Sequence, residues 1–160
     1  MKEEYRKAVF VVIYKIEKKK EGNRILYLLL RRRHHWKGWE FTKGGVDKGE
    51  GLREGALREA REESGLKPIK IIDFKIKGKY KYKKQFRDRP GYTGQTYHLF
   101  AVQVPLKNSN RVRVDKKEHS GWKWMNFNRA MKKLRHNNQK KGLKIVNNRV
   151  SKLYNLKTII

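Results

Sequence analysis

The sequence predicts a mixed α/β fold in which residues 1–160 form a single domain. Apolar, β-rich segments alternate with segments of helical periodicity, and no internal repeat or linker-like stretch divides the chain. With 37% hydrophobic residues and eighteen aromatic side chains, the chain has enough apolar surface to bury a core, which argues against disorder.

The strands are predicted from continuous or alternating apolar runs. These runs lie at residues 7–14, 24–30, 69–84, 95–104 and 121–125. The first two are almost continuously apolar, as buried strands are, and a charged turn at 18–23 joins them. In segment 69–84, apolar or aromatic residues alternate with lysine, which predicts a half-exposed strand that turns near Gly78. A loop at 87–94 precedes the fourth run.

Three helices complete the predicted elements. The first follows the glycine-rich stretch after residue 44, because Leu52, Ala56 and Ala60 recur at four-residue spacing and make one apolar face. Gly65 is placed to end this helix. Two more helices are predicted at 126–136 and 143–154, on either side of a polar break with the sequence NNQKKG.

The first helix lies in an acidic window within a very basic chain. The formal charge is +28, yet residues 44–66 carry six acids and only four bases, so this window is net negative. Glu59, Glu62 and Glu63 stand at positions i, i+3 and i+4, within reach of one another. Their mutual repulsion needs a counter-charge, and all-oxygen ligands suit Mg²⁺ or Mn²⁺. The alternative is a solvated helix supported by glutamate–arginine pairs.

The spacing of the window decides between these interpretations. The segment GGVDKGEGLREGALREAREESGL has the glycines, glutamates and arginine of the Nudix box at every fixed position, so the chain resembles the Nudix hydrolases. Segments 39–50, 94–104 and 118–125 are similar to the branch containing asymmetrical diadenosine-tetraphosphate hydrolases and RNA 5′-pyrophosphohydrolases. Thr42 stands where that branch has proline. The resemblance implies an α/β/α sandwich around a mixed sheet.

The resemblance also implies roles for individual residues. Glu59, Glu62 and Glu63 would be metal ligands, with the Gly44 carbonyl as a further ligand. Arg58 and Glu50 would orient them. Glu118 falls where relatives have a distal glutamate that binds metal or activates water, so Glu59 or Glu118 would be the base. Residues at or near positions that hold phosphates or the first nucleotide are Arg6, Arg33, Lys43 and Gln95, and the candidate aromatic platforms are Tyr97 and Tyr82.

Three functions follow from the sequence. The leading prediction is hydrolysis of dinucleoside polyphosphates such as diadenosine tetraphosphate, and the second is removal of pyrophosphate from 5′-triphosphate RNA. The third is a non-catalytic module that binds RNA or ribosomes, which the complete glutamate set argues against. The positive charge outside the window favours RNA as a partner, with Tyr80, Tyr82, Phe86 and Tyr92 available for stacking, or it reflects composition alone.

The cellular setting is predicted from what the sequence lacks. The chain has no cysteine, which excludes disulfides and thiolate metal sites. Its first residues, MKEEYRK, contain no apolar signal core, and the longest apolar run is too short to cross a bilayer. We therefore expect a cytoplasmic protein without a membrane partner.

Overall fold

The computed structural model describes residues 3–34, 36–84, 87 and 89–154. Within them the elements follow in the order β1 Tyr5–Glu17, β2 Arg24–Arg32, β3 Gly38–Glu40, β4 Thr42–Gly45, α1 Leu52–Ser64, β5 Lys70–Lys81, β6 Gly94–Gln103, β7 His119–Met125, α2 Phe127–Lys133 and α3 Asn137–Leu153. None of the helices in these residues is long and apolar enough to span a bilayer.

The strands form one mixed sheet with β1 near its centre. The main strand order is β3-β2-β1-β6-β5, with β4 also paired to β1 and β7 also paired to β2. β1 and β6 run parallel, and the other pairs are antiparallel. A parallel neighbour requires a crossover, and the chain between β1 and β6 includes α1, as expected for an α/β fold.

Two apolar clusters lie on opposite faces of the sheet. On one face Val9, Val11 and Ile13 of β1 pack with Ala56 and Ala60 of α1. On the other face Phe10, Val12 and Tyr14 pack with side chains of α2 and α3, including Ala130, Leu143 and Val146. Because both faces of β1 are covered, its sequence is continuously apolar rather than alternating. The result is the expected α/β/α sandwich.

The sheet forks along β1. The antiparallel partner of residues 14–17 of β1 is β2, whereas the partner of residues 8–11 is β4. Beyond the fork, β3 takes the place of β1 beside β2, and β7 pairs along the other edge of β2. The sequence analysis did not identify β3 or β4, because three- and four-residue strands are too short to show periodicity. This fork positions the functional site.

Helix α1 ends where its sequence predicts. Gly65 takes the left-handed conformation at φ 72°, and its N–H donates to the Arg61 carbonyl. A glycine adopts this conformation without the steric penalty of a Cβ atom, which makes it a common helix terminator.

Two predictions of local structure are wrong. The strand through segment 69–84 does not turn at Gly78, because β5 continues to Lys81 and Gly78 pairs with Tyr97. A Cβ at Gly78 would collide with the Tyr97 hydroxyl, so this glycine makes room for a ring instead of making a turn. The irregularity of β5 lies earlier, around Lys75 at φ 55°.

The predicted break at 137–142 is also wrong, since these residues form the first part of α3. Gln139 is buried, and its Oε1 accepts a hydrogen bond from the Phe41 N–H at 3.0 Å. Gly142 packs against the Phe10 ring, where any Cβ would come too close. Tertiary contacts therefore favour a helix in a segment whose composition is that of a loop.

Candidate active site

A charged cleft of about 200 Å³ lies at the fork in the sheet. Its carboxylates come from α1 and from the turn before β7, and they are Glu59, Glu62, Glu63, Asp115 and Glu118. Its cations come from β1, β2, β4 and the loop before β6, and they are Arg6, Arg32, Lys43 and Arg89. Charges of both signs line one small space, as binding of a polyanion through a metal requires.

Arg58 holds three of the window's glutamates in place. Its Nε and Nη2 donate to the two oxygens of Glu50 at 2.8 and 2.9 Å. Its Nη1 donates to Glu59 at 2.9 Å and to Glu62 at 3.1 Å, and its Nη2 also donates to the Gly45 carbonyl at 2.8 Å. Fork-shaped bonds of this kind fix geometry as well as charge. One arginine therefore ties α1 to the loop before it and to β4.

The Glu59 carboxylate packs directly against the backbone of Gly44. A Cβ at Gly44 would collide with all three atoms of that carboxylate. Gly45, the next residue, is in similar contact with the Arg6 guanidinium. Because the two glycines have no side chains, an acid from α1 and a base from β1 can both reach the same strand.

Burial sets the protonation of the glutamates on α1. Burial raises the pKa of Glu59 to about 7, although Arg58 opposes the shift, and nearby Glu62 and Glu118 add to it. Burial, with Glu40, Glu59 and Glu118 nearby, also raises the pKa of Glu63 well above its ordinary value. Paired hydrogen bonds from Arg58 lower the pKa of Glu50 to about 2, so Glu50 stays ionised as the partner of Arg58.

A turn stabilised by Asp115 brings Glu118 into the cleft. The Asp115 carbonyl accepts the N–H groups of Glu118 and His119 at 3.1 and 2.9 Å. The Glu118 carbonyl in turn accepts the Arg33 N–H at 3.0 Å, which fastens the turn to the end of β2. Glu118 is half-buried and lines the same cleft as the acids of α1.

The donors in the cleft fit a hard divalent cation. All are oxygens, and Glu63 Oε2 is buried without a hydrogen-bond partner among the described residues. Across the same residues, no three or more His, Cys, Asp or Glu side chains are arranged so that they could hold a metal ion without moving. A divalent cation bound there would favour the ionised forms of Glu59 and Glu63, whose pKa values burial raises.

Comparison with known proteins identifies the family. A profile of the NUDIX domain matches residues 4–144. The chain belongs to the Nudix hydrolase family. Enzymes of this family generally use divalent metal ions.

Relatives by sequence and by structure agree with this assignment. An RNA pyrophosphohydrolase of Baumannia cicadellinicola is 32% identical over 132 residues, which cover 77% of each chain. An RNA pyrophosphohydrolase of a Nitratiruptor species is 39% identical over 82 residues, and the match covers about half of that relative, 52%. A solved complex of C. elegans Ap4A hydrolase has a TM-score of 0.71 at 23% identity, covering 92% of this chain and 98% of its own. At this identity the structural match shows the Nudix fold.

The Nudix cleft includes three of the four residues predicted to hold phosphates or the first nucleotide. Arg6, Lys43 and Gln95 line it. Arg33 does not, because its side chain is exposed outside the cleft lining and the neighbouring Arg32 lies in the cleft instead. Arg32 is the last residue of β2, and the chain has left the strand at Arg33. The three-arginine run at 31–33 hid which of them points inward.

The two predicted aromatic platforms lie beside the Nudix cleft. A cavity of about 20 Å³ shares Lys43 and Gln95 with the cleft and includes Tyr97 and Tyr80. The Tyr82 hydroxyl donates to Gln95 Oε1 at 2.9 Å. At this size the cavity accommodates roughly one water molecule and no nucleotide base. Phe86, another candidate platform, lies outside the described residues.

Sequence reasoning missed several charged residues of the site. They are Arg32, Glu40, Arg89, Asp115 and His119. Glu40 and His119 are almost completely buried, at 1% and 0% exposure. Glu40 does carry a signal, because it is an acid between the aromatic residues Trp39 and Phe41, and an acid in such a setting requires a partner when buried.

Proposed function

We propose that the protein is a metal-dependent pyrophosphohydrolase that cleaves a phosphoanhydride bond of a nucleoside polyphosphate. The observation that carries the proposal is the arrangement of Glu59 and Glu63, two buried acids with raised pKa values beside the arginine-held Glu62. A structural cluster of this kind would be costly to keep without a cation. Mg²⁺ or Mn²⁺ would be held by Glu59, Glu62, Glu63 and Glu118, with the Gly44 carbonyl as a further ligand.

The residues of the cleft have distinct tasks in this reaction. A bound divalent ion polarises phosphoryl oxygens and neutralises charge that develops in the transition state. Glu59 or Glu118 accepts the proton of the attacking water, since both carboxylates line the cleft in which the substrate would bind. Arg58 and Glu50 keep the ligands oriented, and Arg6 and Lys43 bind phosphate oxygens.

Two substrate classes have different support. The names of the sequence relatives favour 5′-triphosphate RNA, since relatives at 32% and 39% identity are both RNA pyrophosphohydrolases. The strongly basic surface around a small acidic window also suits RNA. Diadenosine tetraphosphate, cleaved to ATP and AMP, is favoured by the tyrosines beside the cleft. Tyr97, in the neighbouring cavity, and Tyr82, bonded to the cleft residue Gln95, offer aromatic surfaces to a base. A cytoplasmic location follows from these substrates.

One substrate panel tests the proposal. The protein is incubated with Mg²⁺ or Mn²⁺ and with diadenosine tetraphosphate, a 5′-triphosphate oligoribonucleotide or ATP, and phosphate-containing products are resolved by chromatography. We expect turnover of the first two, weak action on ATP and no turnover in EDTA. A kcat/KM at least about tenfold higher for the oligoribonucleotide would assign RNA as the substrate. Metal binding without turnover of any substrate would instead support a binding module.

A further inference from the structure

The cleft has a second charged wall, opposite the glutamates of α1, of which the sequence predicts Lys43 but neither Arg32 nor the acid that joins them. Arg32 lies at the end of β2 with 6% exposure, and Lys43 lies on β4 with 21% exposure. Both line the cleft. Because β2 and β4 separate at the fork, these two cations come from strands that are not paired with each other.

Glu40, on β3 between the two strands, binds both cations. Its Oε2 accepts Arg32 Nη1 at 2.9 Å, and its Oε1 lies 3.4 Å from Lys43 Nζ. His119 Nε2 is also 2.8 Å from Oε2. Arg32 is fixed from a second direction, since its Nε donates to the His34 carbonyl at 2.6 Å. A single buried acid therefore determines where both cations stand.

Glu40 has more cationic partners than a single carboxylate needs. Arg32, which is always charged, and Lys43, whose pKa burial lowers although Glu40 opposes the shift, face one carboxylate, with an imidazole as a third partner. One arginine would be enough to neutralise a single buried carboxylate. A second buried cation adds a desolvation cost. Both cations also line the cleft, where an anionic ligand can contact them. The carboxylates of the facing wall repel such a ligand, so cations held close by are needed.

We propose that Glu40 is a positioning residue that holds Arg32 and Lys43 as a phosphate-binding wall facing the carboxylates of α1. The ligand class is the polyphosphate part of the substrate, and in this respect the inference rests on the proposed function. Arg32 binds phosphate oxygens directly, and Glu40 acts through Arg32 and Lys43. Contacts of this kind, made equally in the ground and transition states, lower KM more than they raise kcat.

Binding of an analogue tests this wall without requiring turnover. Methylenediphosphonate, which resembles pyrophosphate but has no hydrolysable linkage, is titrated calorimetrically at fixed Mg²⁺ into the protein and its variants. We expect Arg32→Gln and Glu40→Gln each to weaken binding by about tenfold or more. Adding Glu40→Gln to an Arg32→Gln/Lys43→Gln protein should weaken binding by less than about twofold, because the residues that Glu40 positions are then absent.

Lys15→Met is the matched control. Lys15 is a cation of similar burial, 4% exposed, whose Nζ donates to Ser109 Oγ at 2.9 Å and lies 4.4 Å from the Trp124 ring, outside the cleft. Its loss should lower thermal stability and leave the Kd within about twofold. In parallel, Glu40→Gln should raise KM for the best substrate about tenfold while kcat changes less than about threefold. If Glu40 had only a structural role, Glu40→Gln would lower thermal stability without raising KM selectively over kcat.

Each outcome decides the inference. Binding of the analogue by folded Glu40→Gln as tightly as by the wild type would overturn it, and so would absence of binding by the wild type. If Glu40→Gln does not fold, folded Arg32→Lys and Lys43→Gln decide, because wild-type affinity in both would overturn the phosphate-binding wall. Arg32→Lys keeps the charge and loses the planar fork, so we expect weaker binding. A wild type that binds the analogue but hydrolyses no substrate would count against the proposed function and support this wall.

Discussion

Arg58 and Glu50 are joined by two parallel hydrogen bonds, from Nε to Oε2 at 2.8 Å and from Nη2 to Oε1 at 2.9 Å. Glu50 precedes α1 and Arg58 lies within it, so the pair fixes the helix to its entry loop. The same guanidinium bonds Glu59 and Glu62. Their positions therefore depend on an acid that is itself absent from the cleft lining.

Glu50→Gln should reduce catalysis through Arg58. The neutral amide keeps one acceptor oxygen but loses the charge and the double acceptor, so Arg58 is held less firmly and the metal ligands lose their orientation. We expect kcat to fall by about 10- to 100-fold, measured in a steady-state assay with saturating Mg²⁺. Glu54→Gln, on the exposed side of the same helix, is the control and should retain wild-type kcat. Equal effects of the two substitutions would contradict the role of the Arg58–Glu50 pair.

Glu62→Gln and Glu63→Gln should each lower kcat by about two to four orders of magnitude, because a lost anionic ligand weakens metal polarisation. For Glu63 the loss should leave the metal-free fold intact, since its raised pKa means that the neutral form is already favoured there. Circular dichroism in EDTA checks the fold, and Mn²⁺ titration followed by electron paramagnetic resonance checks the ligand role. Full activity in both variants would eliminate the proposed metal site.

Gly44→Ala should abolish most activity, because the new methyl group occupies the space of the Glu59 carboxylate. Overpacking of this kind costs about 1–3 kcal/mol, so the free energy of unfolding in urea should also fall. Gly121→Ala is the control, since a Cβ at Gly121 would meet no atom within 4 Å. Wild-type kcat in Gly44→Ala would mean that catalysis does not depend on the packing of the Glu59 carboxylate against the Gly44 backbone.

The metal-free protein should lose stability as pH rises from about 4.5 to 7. The pKa of Glu59 is about 7 in the folded state against 4.5 ordinarily. Between these two pH values the folded protein keeps a proton on Glu59 that the unfolded chain has already released, so folding becomes less favourable as pH rises. The contribution of Glu59 to the free energy of unfolding, on the order of 3 kcal/mol, is fully present below pH 4.5 and is lost as pH passes 7.

Thermal unfolding in EDTA at a series of pH values measures this effect. Glu59→Gln should flatten the curve over the same window, and adding Mg²⁺ should restore stability at pH 7 and above. If the stability of the wild type and of Glu59→Gln changed with pH in the same way between pH 4.5 and 7, the raised pKa of Glu59 would be contradicted.

The titration of Glu40 should change stability in the opposite direction and at lower pH. Burial opposes its ionisation, but His119, Lys43 and Arg32 outweigh burial and lower its pKa to about 2, so stability should also fall below about pH 4.

If RNA is the substrate, its affinity should depend steeply on salt. For a single strand, log K falls by roughly 0.7 per contacted phosphate for each decade of salt concentration. Fluorescence anisotropy of a labelled 5′-triphosphate oligoribonucleotide between 50 and 300 mM KCl measures the slope. An equally basic unrelated protein is the comparison. A flat response would assign the high charge to composition alone.

The sequence predicts the fold and the acidic half of the site because both depend on local patterns. Continuous apolar runs identify the central strands, and the fixed spacing from Gly44 to Leu66 identifies α1 with its glutamates. Short-range patterns do not register contacts between distant segments. Gly78 resembles a turn residue until Tyr97 is placed beside it, and 137–142 resembles a loop until Phe10 and Phe41 pack on it.

The basic half of the site escapes prediction for a related reason. In a chain with 43 lysines and arginines, no single cation stands out by type, and Arg32 differs from Arg33 in being the last residue of β2. Glu40 and His119 meet through strands β3 and β7, which both pair with β2. Which partners a buried acid acquires is decided by the strand order, and one sequence does not reveal that order.

The parallel pairing of β1 with β6 also affects how the chain folds. Their register joins Tyr5 to Gly94 and Tyr14 to Gln103, so the central strand acquires this neighbour only after most of the chain is available. Contacts so distant in sequence are slow to form, commonly on the order of milliseconds to seconds. We therefore expect the edge of β1 that pairs with β6 to stay unpaired until β6 has been synthesised, and an unpaired edge of a central strand favours aggregation.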